Sequence, residues 1–339
     1  MSTRKSFFAS TALVALAMLA APAFAQITVS NPTSGATVAP PFPLAATATT
    51  CSSVPVVSMG YSLDHSTNVM TVNGQSLNTQ VTGTAGAHTL HVKSWGKGTG
   101  CVVDIPITIG SGPVIPANAV AISGVHAMNN WKATFDTGTG SGTATGAMTM
   151  VSGPALSGDA RQFVTSYTNY GGERYSDNFG TDSSATNFLY DGWVYPASPT
   201  NDVANLEMDL NQVMPNGQTA IYAFQCSGWG NVWEYTTNSG TPQNPKVTWL
   251  KSNQSCNPRS WATNAWHHVQ IQFSRDDAGN VTYHSVWLDG VEQDINETVP
   301  SAFALGWAPG VMVTNFQVDG IGTSGNATYY LDNLTIYKW

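Results

Sequence analysis

The chain has 339 residues, of which only 9% are charged against about 25% in an average soluble protein, and its net charge is -8. Twelve Lys and Arg in all exclude the phosphate-binding surface of a nucleic-acid partner, and 42% apolar with 10% aromatic residues excludes a disordered chain. Ser, Thr, Asn, Gln and Gly must therefore supply the soluble surface, as in many β-rich exported proteins.

The first residues predict export. Arg4 and Lys5 open the chain, Phe7 to Leu19 is an almost unbroken apolar run, and Ala23-Phe24-Ala25 is a small-x-small cleavage site. The run is short for a bilayer span, and no second long apolar run follows, so no membrane span is expected. Residues 1–25 are read as a signal peptide cleaved after Ala25, which places the mature chain in the periplasm or the medium.

Residues 26–109 read as a first unit of short strands. Ile27 to Val29 alternates, Asn31 to Gly35 is a turn, Leu44 to Cys51 and Val56 to Leu63 are strands, and Asn73-Gly74 is a turn signal. His88 to Trp95 alternates over eight residues, and Cys101 to Ile109 closes the unit. Asn31-Pro32-x-x-Gly35-Ala36-Thr37-Val38 and Gly86-Ala87-His88-Thr89-Leu90-x-Val92-x-x-Trp95 resemble bacterial immunoglobulin-like domains. The resemblance implies a structural role for these residues.

Residues 110–119 are a Gly/Pro linker. Residues 120–339 contain no convincing long amphipathic helix. Nine segments read as strands: 162–167, 205–213, 219–226, 231–236, 246–250, 267–273, 281–288, 310–318 and 328–337. That number of strands, with Gly-rich turns, predicts a large two-sheet sandwich. The four cysteines allow three connectivities, and one pair per unit is the simplest: Cys51–Cys101 and Cys226–Cys256. No C-x-x-C spacing supports zinc.

The segment Asn205-Leu206-Glu207-Met208-Asp209-Leu210-Asn211-Gln212-Val213 concentrates the chemistry. In a strand, Glu207, Asp209 and Asn211 share one face, and Leu206, Met208 and Leu210 the other. Two acids on one strand face repel unless a proton, ligand or partner compensates. They are either a site or structural groups paired with Arg161, Arg174, Arg259 or Arg275.

Together with Trp266 to Ile271, Val286-Trp287-Leu288-Asp289-Gly290-Val291 and Tyr330 to Tyr337, this segment resembles the family 16 glycoside hydrolases, the laminarinase-like β-glucanases. The resemblance implies an all-β chain ending in a concanavalin-like β-jelly roll, with Glu207 as nucleophile and Asp209 as assisting carboxylate. In the longer form of the family motif a β-bulge returns the acid/base position to the same face, and here that position is Gln212. An amide has no titratable proton, so the site is expected to bind and not to hydrolyse by the family's route. Glu234 and Glu173 are the candidate replacement acids.

Trp and Tyr crowd residues 190–266, and flat rings suit the C–H faces of sugars. Gly228 and Gly230 mark Trp229 and Trp233 as the exposed ones. The expected ligand set is Glu207, Asp209, Gln212, Trp229, Trp233 and Glu234, and the expected partner a polysaccharide or oligosaccharide bound by a monomer. A hydrolase or lyase acting on a β-glucan-like chain, and an adhesion protein, are the alternatives. No cofactor is implied. The family often carries a structural calcium, but no ligands for it can be assigned, and Asp276-Asp277-Ala278-Gly279-Asn280 reads as a polar hairpin. His267 and His268 are expected on opposite faces of a strand, one toward the cleft.

Overall fold

The computed structural model describes residues 27–38, 40–136 and 142–339. The predicted signal peptide and its cleavage site lie outside the described residues. The described chain is all-β, with only single 3₁₀ turns such as Val125–Ala127 and Pro258–Ser260. Among the described residues no helix is long and apolar enough to cross a membrane.

Residues 28–109 make two sheets. One has three strands, Thr28–Asn31, Phe42–Thr47 and Ser76–Val81. The other has six, centred on Val54–Leu63, Gly86–Gly96 and Thr99–Ile109. Alternation buries Phe42, Leu44, Met59, Leu77, Leu90, Val92 and Ile107 between them. Asn73-Gly74 is a turn as expected, with Gly74 at φ +113°, but it makes no hairpin. Met70–Asn73 pairs with Val54–Leu63, and Ser76–Val81 crosses to the other sheet. The Cys51–Cys101 disulfide ties a two-residue edge strand to the last strand of this part.

Residues 120–338 make two larger sheets that face each other, one of eight strands and one of nine. Rings from both interlock in the core. Phe163 of the eight-stranded sheet stacks on Phe316 of the nine-stranded sheet at 4.9 Å, and Tyr283 stacks on Phe224 at 5.8 Å. The Val203–Val213 strand runs through the middle of the nine-stranded sheet and is buried along its whole length. Leu206, Met208 and Leu210 fill the core behind it. Asn205, Glu207, Asp209 and Asn211 face the other way, into a large cleft.

The outer face of the eight-stranded sheet meets the first part of the chain. Trp193 belongs to the same apolar cluster as Leu44 and Leu90, and Trp266 and Leu156 pack against that cluster. Both expected disulfides are present, the second joining Cys226 to Cys256. Asp276 makes the expected polar hairpin, its carboxylate accepting from the backbone N–H of Ala278 and Asn280 at 3.0 and 2.8 Å.

Candidate functional site

The cleft has a volume of about 1450 Å³ and lies on the face of the nine-stranded sheet turned away from the core. Its floor is set by strand register. Arg174 pairs with Gln317, Gln317 with Glu207, Glu207 with Gln225, Gln225 with Glu234, and Glu234 with Lys251. These residues form one row across six strands, roughly 24 Å long at about 4.8 Å per strand. A neighbouring row holds Ser176, Asn315 and Asp209, and a third brings Asn205 beside Asp319.

The floor is thus carboxyls and amides in alternation. Glu207 is 7% exposed, Asp209 3%, Asp319 4% and Glu234 8%. Asn315 Nδ2 donates to Asp209 at 3.4 Å, and the backbone N–H of Phe224 donates to Asp209 at 2.9 Å. Gln225 Nε2 donates to Glu234 at 2.8 Å. Gln317 Nε2 donates to Asp319 at 3.0 Å and to Asp136 at 3.3 Å.

Burial dominates the electrostatics. Desolvation, then the neighbouring charge of Asp209, pushes the Glu207 carboxyl well above the usual carboxylate range. Glu207 is therefore the readier of the two acids to hold a proton, which eases the repulsion expected of i, i+2 carboxylates. Asp209 is itself pushed up by desolvation, against the pull of that hydrogen bond and of the Arg174 charge. Desolvation and the charge of Asp136 raise Asp319 to about 7. A proton shared between Glu207 and Asp209, more than an arginine, answers the two-acid problem posed by the sequence. Arg161 donates to the carbonyls of His126 and Met128, Arg259 to those of Val203 and Gly228, and Arg275 to Gln212 and three carbonyls.

The rim is aromatic. Trp229 (53% exposed), Trp249 and Trp307 line the cleft together with Val247 and Leu305. Trp229 sits beside Tyr170 with ring centroids 6.3 Å apart. The glycines flanking Trp229 have steric causes. A Cβ on Gly230 would lie 2.4 Å from a Glu234 oxygen, and one on Gly228 would lie 2.4 Å from the carbonyl of Ala204.

Two expected ligand residues are elsewhere. Trp233 is fully buried on the core face, stacked 5.0 Å from Phe224, with its indole N–H donating to Gln293 at 2.6 Å. It follows Val232 in a regular strand, so its parity is opposite to that of Glu234. Gln212 is also turned away. The strand pairs without interruption from Asn205 to Gln212, so no bulge returns Gln212 to the cleft. Its amide donates to the carbonyls of Asp182 and Ala185 and accepts from Arg275. Asn211 holds the cleft position instead.

Neither adjacent histidine reaches the cleft. His267 lies between Asp289 and the carbonyl of Ala262, and His268 stacks on Trp193 at 4.2 Å and bonds Asp191. Glu173 points into the sandwich, where a Cβ on Gly146 would lie 2.5 Å from its side chain. Asp319, Asp136, Arg174 and Trp307 are the cleft residues that sequence reasoning did not assign to the site. Trp307 follows Gly306, the same glycine signal that marked Trp229. Among the described residues no group of three or more His, Cys, Asp or Glu is arranged to hold a metal ion.

No family model matches the sequence, and no curated protein matches it. Several solved structures are similar in fold. One is a carbohydrate-binding module of the β-sandwich superfamily, 11% identical, covering 91% of this chain and 96% of that one, with a TM-score of 0.32. Another is the cellulose-induced protein Cip1, 13% identical over 61% of this chain and 90% of that one, TM-score 0.36. A third is the family 11 carbohydrate-binding module of the cellulosomal cellulase Lic26A-Cel5E of Clostridium thermocellum, 14% identical over 66% and 95%, TM-score 0.28. Likenesses this distant do not bear on what the chain binds.

Proposed function

We propose that this protein is an exported carbohydrate-binding protein that holds a linear polysaccharide or oligosaccharide in the cleft of a concanavalin-like jelly roll. The observation that carries the reading is the division of the cleft into a floor of carboxyls and amides and a rim of indoles. Sugars need both, because hydroxyls pair with planar polar groups and ring faces lie on aromatic planes. A floor roughly 24 Å long takes several sugar units, which favours binding within a chain over capture of a single sugar. Glu207, Asp209, Asn211 and Glu234 are the polar contacts, and Trp229, Trp249 and Trp307 the platforms. In this reading residues 26–109 form an accessory immunoglobulin-like domain joined by the 110–119 linker, and the chain acts as a monomer.

The test is retardation in native gels that contain β-glucans, xylan, galactans, alginate or mannan. One class should retard the mature protein, and Trp229→Ala with Trp249→Ala should abolish the retardation. Retardation that survives Trp229→Ala/Trp249→Ala and Glu207→Ala/Asp209→Ala would defeat the reading.

A second reading is favoured by one observation, the buried Glu207 carboxyl two strands from Glu234 on the same floor. A protonated carboxyl beside Glu234, two strands away and so roughly 9.5 Å at the backbone, suits an inverting hydrolase with Glu207 as acid and Glu234 as base. This reverses the nucleophile role that the family resemblance implied for Glu207. It predicts new reducing ends from the retarding glycan and their loss in Glu234→Gln. Retardation without new ends leaves the binding reading alone.

A further inference from the structure

We propose that the cleft selects chains bearing free amino groups, an amino-sugar glycan whose ammonium groups sit over Asp209, Glu234 and Asp319. The inference rests on the carbohydrate reading above and adds the ligand's charge to it.

The first support is the balance of charge on the cleft lining. Asp136, Glu207, Asp209, Glu234 and Asp319 face it, against Lys132 and Arg174, with Lys251 next to Glu234 at the end of the row. The cations lie on strands at the two edges of the sheet, Lys132–Asp136 and Gly172–Thr181 on one side and Val247–Ser255 on the other. The strands from Val203–Val213 to Val232–Asn238 bring acids and amides and no cation to the lining.

The second support is where the amide donors point. Asn205 and Gln317 donate to Asp319, Asn315 donates to Asp209, and Gln225 donates to Glu234. Each amide nitrogen must face its carboxylate, because a carbonyl oxygen there would repel it. At least one N–H of each of these amides is therefore engaged by the floor's own acids. Asn205, only 4% exposed, has an Oδ1 with no hydrogen-bond partner, and the buried Thr236 hydroxyl on the same lining has none either. A lining with more carboxyls than cations favours a ligand that brings donors and positive charge. An ammonium offers three donors and no acceptor, and its charge opposes that of the floor. A uronate or sulfated chain brings more acceptors and like charge, and is repelled.

The experiment compares four oligosaccharides of equal length by titration calorimetry on the mature protein: a β-linked glucosamine oligomer, its N-acetylated form, a β-glucan oligomer and an oligogalacturonate. The glucosamine oligomer should bind about tenfold tighter than its N-acetylated form at low salt, an advantage that fades near 1 M salt as charges are screened. Asp319→Asn and Asp209→Asn should each reduce that ratio. Should one of these fail to fold, Glu234→Gln provides the same comparison. If the N-acetylated or glucan oligomer binds as tightly as the amine, or the ratio is unmoved in the folded variants, the inference is overturned and the carbohydrate reading stands. If none of the four binds, the inference is overturned, and the native-gel panel decides the carbohydrate reading by itself.

Discussion

Asp319 shows how a single side chain can set the pH response of the cleft. Its carboxyl is buried, flanked by Asp136, and raised to about 7. An acid raised in the folded state binds its proton more tightly there than in the unfolded chain, where it titrates near 4. Between those two values the unfolded state has released the proton and the folded state has not, so stability falls as pH rises. Glu207 is raised for the same reason and adds to the fall. We expect urea unfolding to show the wild type losing stability from about pH 5 to pH 8, and Asp319→Asn to make that loss shallower by about 2 kcal/mol. An unchanged slope would mean that solvent reaches Asp319 and that the floor carries full charge.

At the scale of the element, the Val203–Val213 strand was legible in the sequence as to type, face and chemistry. Leu206, Met208 and Leu210 alternate with Glu207, Asp209 and Asn211, and that pattern has one reading in a sheet with a core on one side. What the pattern could not give was the register at its end. A one-residue bulge after Asn211 would have brought Gln212 to the cleft, and nothing in the residues excludes such a bulge. Tertiary contacts decide it, because Arg275 and two backbone carbonyls hold the Gln212 amide behind the sheet. Converting it to the acid of the family motif should therefore create no catalyst. Gln212→Glu replaces two donated hydrogen bonds by repulsion against the carbonyls of Asp182 and Ala185. A loss of about 2 kcal/mol in chemical unfolding, with no gain in reducing ends released, is the expected result.

Other elements were illegible for related reasons. Gly172–Thr181 alternates Arg174, Ser176 and Asn178 toward the cleft with Tyr175, Asp177 and Phe179 toward the core. So much polarity on both faces reads as loop. Asn187–Pro196 is covered on both sides, because Trp193 packs against the first part of the chain while Phe188, Tyr190 and Val194 fill the core. A strand buried on both faces has lost the alternation that would reveal it. Trp233 failed on parity, since a neighbouring glycine says that a loop is near but not which way the next strand residue turns.

Across the whole molecule, the two disulfides divide the work. Cys51–Cys101 closes a span of 50 residues in the first part of the chain, and Cys226–Cys256 a span of 30 around one wall of the cleft. The second span contains Trp229, Glu234 and Trp249. Replacing Cys226 and Cys256 by Ala should cost about 3 kcal/mol through the freed unfolded chain. Because the wall carries two indole platforms, glycan affinity should fall along with stability. Equilibrium unfolding and calorimetry on the same variant measure both, and a stability loss with full affinity would show that the wall is held by its strand pairing alone.

Trp193, Trp266 and Leu156 pack into the apolar cluster of residues 27–109 from the outer face of the eight-stranded sheet, and the cleft opens on the far side of the sandwich. Gly110, where the connecting segment begins, lies so close to Gly290 that a Cβ on it would fall 2.1 Å from the Gly290 carbonyl. The connection is thus pinned at its start, and the two parts rotate together. In rotational diffusion such a chain is expected to tumble as one particle and not as two beads on a string. Whatever anchors residues 27–109 would fix the direction in which the sugar-facing side looks, and so turn a binding site into an oriented one.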